Sequence, residues 1–124
     1  MNHKILVIDD SEIARDWGRF ALEDAGFDVR TAETAAEAER TIAQWKPDLV
    51  LLDVTLRETT GIDLCRRLKS RLTHLVPIVL MSGRSEEELA DLALACDADG
   101  FLSKVSGGQA LVERIDEIRR MILW

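Results

Sequence analysis

The sequence is poor in positive charge, in cysteine and in long apolar runs, and each shortage excludes a class of protein. It has 16 lysines and arginines against 23 aspartates and glutamates. The resulting net charge of −7 argues against nucleic acid binding by this chain itself. The two cysteines, Cys65 and Cys96, fall in predicted helices among apolar neighbours. Unpaired buried thiols in a reducing cytoplasm are therefore expected, rather than a disulfide framework.

Secretory and membrane-spanning patterns are missing as well. Lys4 is followed by only a short apolar run and then by acidic residues, so no secretory signal is expected. No run approaches the roughly 20 apolar residues that a membrane-spanning helix needs. With 124 residues, of which 47% are hydrophobic, the chain has the size and composition of one globular domain over residues 1–124.

Strand and helix signals alternate five times along the chain. Capping-box spacing at Thr34–Glu37 and Ser85–Glu88 marks the starts of two helices. The alternation predicts an α/β domain of five strand–helix units, a doubly wound parallel sheet with helices on both faces. The expected strands are residues 5–8, 27–31, 48–52, 78–81 and 98–102, and the expected helices are residues 11–24, 34–45, 62–72, 85–96 and 106 onward.

Acidic residues stand at the ends of two of these strands. Asp9 and Asp10 follow the first strand, and Asp53 follows the third. Functional groups in an open parallel sheet collect beyond the carboxyl ends of the strands, so the three carboxylates converge if these strands are neighbours. At about 5 Å and an effective dielectric of about 20, each pair repels by roughly 3 kcal/mol. A cation would neutralise such a cluster, and oxygen ligands suit a hard ion such as Mg²⁺.

The chain resembles, from end to end, a receiver domain of a two-component response regulator, of the CheY-like superfamily. The resemblance implies a five-stranded parallel sheet in the order 2-1-3-4-5. It rests on polar residues that each follow the matching strand, together with an aromatic and a glycine at family spacings: Asp9, Asp10, Asp53, Ser82, Lys104, Phe101 and Gly61.

This resemblance implies a phosphorylation site that uses a metal ion. Asp53 would accept a phosphoryl group from a histidine kinase or a histidine phosphotransfer protein. Asp10 would bind Mg²⁺ (or Mn²⁺) directly and Asp9 would bind it through water. Asp53 itself and the backbone carbonyl of Thr55 would be further ligands. The chain would catalyse only its own phosphorylation and dephosphorylation, without an external substrate.

The resemblance also implies a switch. Lys104 and Ser82 would move toward the phosphoryl oxygens, for which a compact cation and a hydroxyl donor are suited. Phe101 would then turn inward and change the protein-binding face of the fourth helix, fifth strand and fifth helix. This face would contact an unidentified downstream protein, and a homodimer through it is plausible from the family.

Four further residues are candidates for tuning and docking. Thr55 and Arg84 match positions that tune how water reaches the phosphoryl group, and Arg84 could cover that group or pair with Glu58. Ile13, Trp17 and Phe20 form an apolar stripe on the first helix, which would dock the phosphodonor through Ile13 and Trp17. Partial burial of this stripe against the last helix is the alternative.

Two departures from the family pattern leave another function open. Val105 and Arg57 stand where most receivers have proline. Because a non-proline cis bond costs about 3–4 kcal/mol, the Lys104–Val105 bond is predicted to be trans, with a shifted loop. The loop that contains Arg57 should be more mobile. A pseudo-receiver, which binds partners without phosphorylation, is therefore the main alternative.

Two other classes share part of the pattern. An aspartate-nucleophile phosphatase also combines Asp, Ser or Thr, and Lys with Mg²⁺, but it usually places the nucleophile on the first strand and carries a cap domain. A flavodoxin-like carrier would need a phosphate cradle after the first strand, where Asp9-Asp10-Ser11-Glu12 would repel phosphate instead. The chain could also be an N-terminal fragment of a longer regulator.

Overall fold

The structure, a computed structural model, describes residues 3–55, 60–71, 76–104 and 107–121. Within these ranges strands and helices alternate five times, as the sequence predicted, with ends shifted by one or two residues. The strands are β1 (Lys4–Ile8), β2 (Asp28–Ala32), β3 (Leu49–Asp53), β4 (Ile78–Ser82) and β5 (Gly100–Ser103). The helices are α1 (Glu12–Asp24), α2 (Ala35–Trp45), α3 (Gly61–Arg71), α4 (Glu86–Cys96) and α5 (Gly107–Met121).

The strands of the described ranges form one parallel sheet in the order β2-β1-β3-β4-β5, which confirms the order that the resemblance implies. β1 and β3 are neighbours, with Ile8 opposite Leu52. The next residue of each strand is an aspartate, so the register alone brings Asp9 and Asp53 to the same edge of the sheet. β2 is an outer strand and is only half-buried, as its less apolar sequence indicated.

Two apolar layers enclose the sheet, one on each face. Side chains alternate between faces along a strand, so β1 contributes to both layers. The first layer packs under α2, α3 and α4 and includes Leu6, Ile8, Val50, Leu52, Ile78 and Leu80. The second packs under α1 and α5 and includes Ile5, Val7, Leu49, Leu51, Val79 and Met81. Burial on both faces explains why β1, β3 and β4 are nearly continuous apolar runs.

Serine or threonine side chains are the N-caps of the helices that follow β1, β2 and β4. Ser11 Oγ accepts a hydrogen bond from the backbone N–H of Ala14 at 3.3 Å, and Thr34 Oγ1 accepts one from that of Glu37 at 3.2 Å. Ser85 begins α4 in the same way. These caps satisfy N–H groups that a helix start leaves unpaired. No helix in the described part of the chain has the length and apolar character that crossing a bilayer requires.

The two cysteines lie side by side between α3 and α4. Cys65 Sγ is 3.5 Å from the carbonyl oxygen of Cys96, and both residues are buried as free thiols. Burial raises the pKa of the Cys65 thiol, and the neighbouring Cys96 side chain raises it further. A thiol held in its neutral form is a poor nucleophile, so these cysteines serve as core residues.

Gly61 lets α3 begin directly against the chain that leaves β3. Its N–H donates to the carbonyl oxygen of Val54 at 2.7 Å. A Cβ atom on Gly61 would lie 2.7 Å from Val54 Cα and would also clash with the carbonyl oxygen of Asp53. This contact is between backbones, so no side chain can move aside to relieve it.

We expect Gly61→Ala to destabilise the domain by about 2 kcal/mol or more, since the added methyl group must displace backbone beside Asp53. Urea unfolding measures the change. Gly83→Ala is the matched control, because a Cβ at Gly83 meets nothing within 4 Å. Equal unfolding midpoints for the two variants would show that the close approach at Gly61 is unimportant.

Candidate functional site

Three carboxylates converge at the carboxyl ends of β1 and β3. One oxygen from each of Asp9, Asp10 and Asp53 lies within 4.8 Å of the others. Asp9 is fully buried, Asp53 is 6% exposed and Asp10 is partly exposed. The convergence is the one that the strand-end pattern predicted. The set offers only oxygen ligands and opens to solvent at Asp10, which fits a hard divalent cation.

Lys104 supplies the positive charge nearest to this cluster. It follows β5 directly, and its Nζ lies 2.7 Å from Asp9 Oδ2 and 3.7 Å from Asp53 Oδ1. The other oxygen of Asp9 accepts a hydrogen bond from the N–H of Ser11 at 3.0 Å. Both oxygens of Asp9 are therefore engaged, whereas Lys104 is farther from Asp53.

The electrostatic imbalance appears in the pKa of Asp53. This pKa is raised from 3.8 to about 6, first by burial of the carboxyl group and then by the negative charge of Asp9. Lys104 and the backbone N–H of Thr55 act in the opposite direction without cancelling the increase. Asp53 is thus mostly ionised at neutral pH. Its ionisation is less favourable in the folded protein than in water, and a cation bound at the cluster would lower the pKa again.

Ser82 and Phe101 lie on the two strands that follow in the sheet. Ser82 ends β4, is buried, and accepts a hydrogen bond from the backbone N–H of Arg84 at 3.2 Å through its Oγ. Phe101 is half-buried on β5 and packs against the layer under α2, α3 and α4. The guanidinium carbon of Arg114 in α5 lies 5.7 Å from the centroid of the Phe101 ring. Because side chains alternate along a strand, both predicted switch residues face the side of the sheet that α2, α3 and α4 cover.

The predicted tuning residues lie at the exposed rim. Thr55 and Arg84 are both exposed, and Thr55 pairs with Thr60 in an isolated antiparallel bridge. Glu58, Arg57 and Val105 lie outside the described residues. The Arg84–Glu58 pair, the mobility of the Arg57 loop and the trans Lys104–Val105 bond therefore remain predictions.

The two docking candidates on α1 have different environments. Ile13 is 83% exposed, so it is available for contact with another molecule. Trp17 is half-buried against the layer under α1 and α5, and its Nε1 lies close to Gly108. Phe20, farther along α1, is 59% exposed and has the Arg19 guanidinium over its ring. The alternative of burial against the last helix thus describes Trp17 but not Ile13.

Two residues near the site were missed from the sequence. Arg15 donates from Nη1 to the carbonyl oxygen of Asp9 at 2.8 Å and holds the loop that carries the acidic pair. The sequence indicated Arg15 only by its place in the first turn of the helix that follows Asp9 and Asp10. Ser103, which precedes Lys104, is buried in register with Ser82. No sequence signal distinguishes it from an ordinary strand residue.

Comparison with known proteins assigns the family. Residues 5–116 match the response regulator receiver domain family, and the chain belongs to it. The resemblance seen in the sequence is thereby confirmed, and the chain is a signalling domain of the bacterial two-component type.

Among curated proteins, the chain is 38% identical over 117 residues to the phosphate regulon transcriptional regulatory protein PhoB of Pseudomonas aeruginosa, covering 94% of this chain and 51% of that protein. It is 35% identical over 120 residues to the alkaline phosphatase synthesis transcriptional regulatory protein PhoP of Bacillus subtilis, covering 97% and 50%. NtrX from Brucella abortus superposes with a TM-score of 0.88 at 30% identity, covering 98% of this chain and 28% of that one. The chain spans about half the length of the curated relatives it matches.

The pKa of Asp53 predicts how stability depends on pH. Its folded-state pKa of about 6 lies above the ordinary value of 3.8, so the folded state binds this proton more tightly than the unfolded state. The contribution of Asp53 to stability therefore falls as pH rises from about 4 to 6, and stays low above that.

We expect Asp53→Asn to raise the free energy of unfolding at pH 7.5 by about 1–2 kcal/mol, and to lose this advantage below about pH 4. Chemical unfolding in Mg²⁺-free buffer across this pH range tests it. Asp91→Asn, at an exposed position on α4, is the control and should change stability little at any pH. A gain that does not depend on pH would mean that the charge of Asp53 is not the cause.

Proposed function

We propose that this chain is a phosphoacceptor switch that takes a phosphoryl group from a phosphohistidine onto Asp53. The observation that carries this function is the placement of the Asp53 carboxylate, which is nearly buried between two further carboxylates and a lysine. A carboxylate at this position is ionised at neutral pH and sits beside a positive charge that can receive phosphoryl oxygens.

Mg²⁺ (or Mn²⁺) is the proposed cofactor. Asp10 and Asp53 would bind it directly, together with the backbone carbonyl of Thr55. Asp9 would bind through water, and the engagement of both its oxygens by Lys104 and Ser11 supports this indirect role. When bound, the cation would screen the negative charges of the carboxylates and of the phosphoryl group as they approach.

The proposed reaction exchanges one bond to phosphorus for another. An oxygen of the Asp53 carboxylate forms a bond to phosphorus, while the bond from phosphorus to the donor imidazole nitrogen breaks. The imidazole keeps that electron pair and takes a proton from solvent. Lys104, already within reach of Asp53, neutralises part of the charge that arrives. Water later attacks the phosphorus, the bond from phosphorus to the Asp53 oxygen breaks, and inorganic phosphate leaves. The carboxylate is thereby restored, and the chain acts on no substrate beyond its own phosphoryl group.

The new charge on Asp53 would then change the neighbouring strands. Ser82 is placed to donate its hydroxyl to a phosphoryl oxygen, and Phe101 would fill the space that Ser82 leaves. The α4–β5–α5 face would change as a result, and it would contact a downstream protein or a second copy of the chain. Leu94 on α4 is 83% exposed, which supports a protein contact on this side of the domain.

The phosphodonor would be a histidine kinase or a histidine phosphotransfer protein that docks on α1. The exposed Ile13 lies in the first turn of this helix, shortly after Asp9 and Asp10, and would give the donor an apolar contact. Trp17 would contribute its exposed part. The net charge of −7 supports a protein partner rather than nucleic acid for this domain.

The proposed location is the cytoplasm, where a reducing environment keeps thiols such as Cys65 and Cys96 unpaired. The relatives lend no support to the alternative of a pseudo-receiver, and the carboxylates of the site are all present. Residues 1–124 are proposed to form one receiver domain.

Incubation with a small phosphodonor and Mg²⁺ should add one phosphoryl group to the wild-type chain, measured by intact mass. Asp53→Asn should show no gain, because it lacks the nucleophilic oxygen. Chelation of the metal should abolish the gain, and Asp91→Asn should retain it. Failure of the wild-type chain to gain mass at any donor concentration would overturn the proposed function.

Arg84→Ala should shorten the lifetime of the phosphorylated chain about threefold, an effect near 0.7 kcal/mol that suits one exposed charged contact. The physical reason is that the Arg84 side chain would otherwise shield the phosphoryl group from water. Decay of the phosphorylated mass with time measures the lifetime. Arg120→Ala, at an exposed position near the end of α5, should leave it unchanged. Equal lifetimes for wild type and Arg84→Ala would remove Arg84 from the mechanism.

A further inference from the structure

One buried hydroxyl next to the site has no hydrogen-bond partner. Among the residues that the structure describes, Ser103 Oγ is the single buried side-chain oxygen or nitrogen in this condition. The residue is 2% exposed, so its hydroxyl has lost contact with bulk water and gained nothing in exchange. Buried polar groups are nearly always paired, and an unpaired one raises the free energy of the state that contains it.

The sheet register places Ser103 beside one predicted switch residue, Ser82, and two positions after the other, Phe101. Ser103 is directly opposite Ser82, and the preceding pairs are Leu102 opposite Met81 and Phe101 opposite Leu80. Leu80 and Phe101 pack on the face under α2, α3 and α4, whereas Met81 and Leu102 pack on the other face. Because side chains alternate along a strand, Ser82 and Ser103 share the face of Phe101.

A movement of Ser82 would free a hydrogen-bond donor at the end of the strand next to Ser103. Ser82 Oγ at present accepts the backbone N–H of Arg84 at 3.2 Å. If the Ser82 hydroxyl turns toward a phosphoryl group on Asp53, that N–H loses its acceptor while Ser103 Oγ stands on the next strand with its lone pairs unused. This one rearrangement would leave the Arg84 N–H without an acceptor and Ser103 Oγ without a donor.

We propose that Ser103 is a positioning residue of the switch, whose hydroxyl gains a hydrogen-bond partner only when Ser82 moves toward the modified Asp53. This role rests on the proposed function. The unpaired hydroxyl raises the free energy of the unmodified conformation alone. It therefore reduces the free-energy difference between the unmodified and the switched conformations, which the phosphoryl group must overcome. The small side chain of Ser103 also leaves room for Phe101 to turn toward the space that Ser82 leaves.

The test is the binding of beryllofluoride, a phosphoryl mimic, in the presence of Mg²⁺, measured by titration calorimetry. Ser103→Ala should bind it about tenfold more weakly than wild type, a change of about 1.4 kcal/mol. The same variant should unfold at an equal or higher temperature without ligand, because the unmodified state no longer contains the unpaired hydroxyl. Its Phe101 ring resonances should show a smaller inward population at a subsaturating ligand concentration.

Two variants separate the hydroxyl from other effects. Ser103→Thr keeps the hydroxyl and should bind beryllofluoride within about twofold of wild type, a difference below 0.5 kcal/mol. Ser70→Ala removes an exposed hydroxyl on α3 that already has a partner, the carbonyl oxygen of Arg67, and should leave binding unchanged.

The outcomes distinguish the two proposals. Wild-type affinity in Ser103→Ala, or equal weakening in Ser103→Ala and Ser103→Thr, would overturn the role of Ser103 while the phosphorylation of Asp53 stands on its own mass measurement. Failure of the wild-type chain both to bind beryllofluoride and to gain a phosphoryl group would overturn the proposed function and the role of Ser103 with it.

Discussion

Repulsion among the carboxylates of Asp9, Asp10 and Asp53 is the constraint on which the rest of this structure depends. At distances below 5 Å each charged pair opposes the fold by about 3 kcal/mol at an effective dielectric near 20. Lys104 contacts Asp9 closely and Asp53 less closely, so its charge does not cancel the repulsion at Asp53. The apolar layers on both faces of the sheet supply the stability that holds these groups together.

A site under such strain responds to any change of charge. A divalent cation relieves the repulsion, and a phosphoryl group on Asp53 replaces one negative group by a larger one with more acceptor oxygens. In the proposed switch the responding parts are Ser82 on β4, the strand next to Asp53, and Phe101 on β5. The unpaired hydroxyl of Ser103 lies on the residue opposite Ser82, so under that proposal the unmodified packing already contains a small cost that favours rearrangement. Switching then needs a free-energy difference of only a few kcal/mol.

The likeness to relatives at 30–38% identity has a physical basis. The fold requires apolar strands in a fixed order and glycine at the close approach of Gly61, whereas most helix surfaces are free to vary. Function adds a short list of polar residues at strand ends. The whole regulators named among the relatives are about twice as long as this chain, so the similarity covers about half of each.

Much of this protein could be predicted from the sequence because local patterns determine it. Apolar runs define the strands, hydroxyl caps at Ser11, Thr34 and Ser85 start helices, and the aspartates and lysine stand where those runs end. Other features needed the tertiary structure, because they depend on distances between residues far apart in the chain. The unequal contacts of Lys104, the raised pKa of Asp53 and the split environments of Ile13 and Trp17 are of this kind. The position of Ser103 opposite Ser82 is another such feature. Strand register and burial, not residue type, leave the Ser103 hydroxyl without a hydrogen-bond partner.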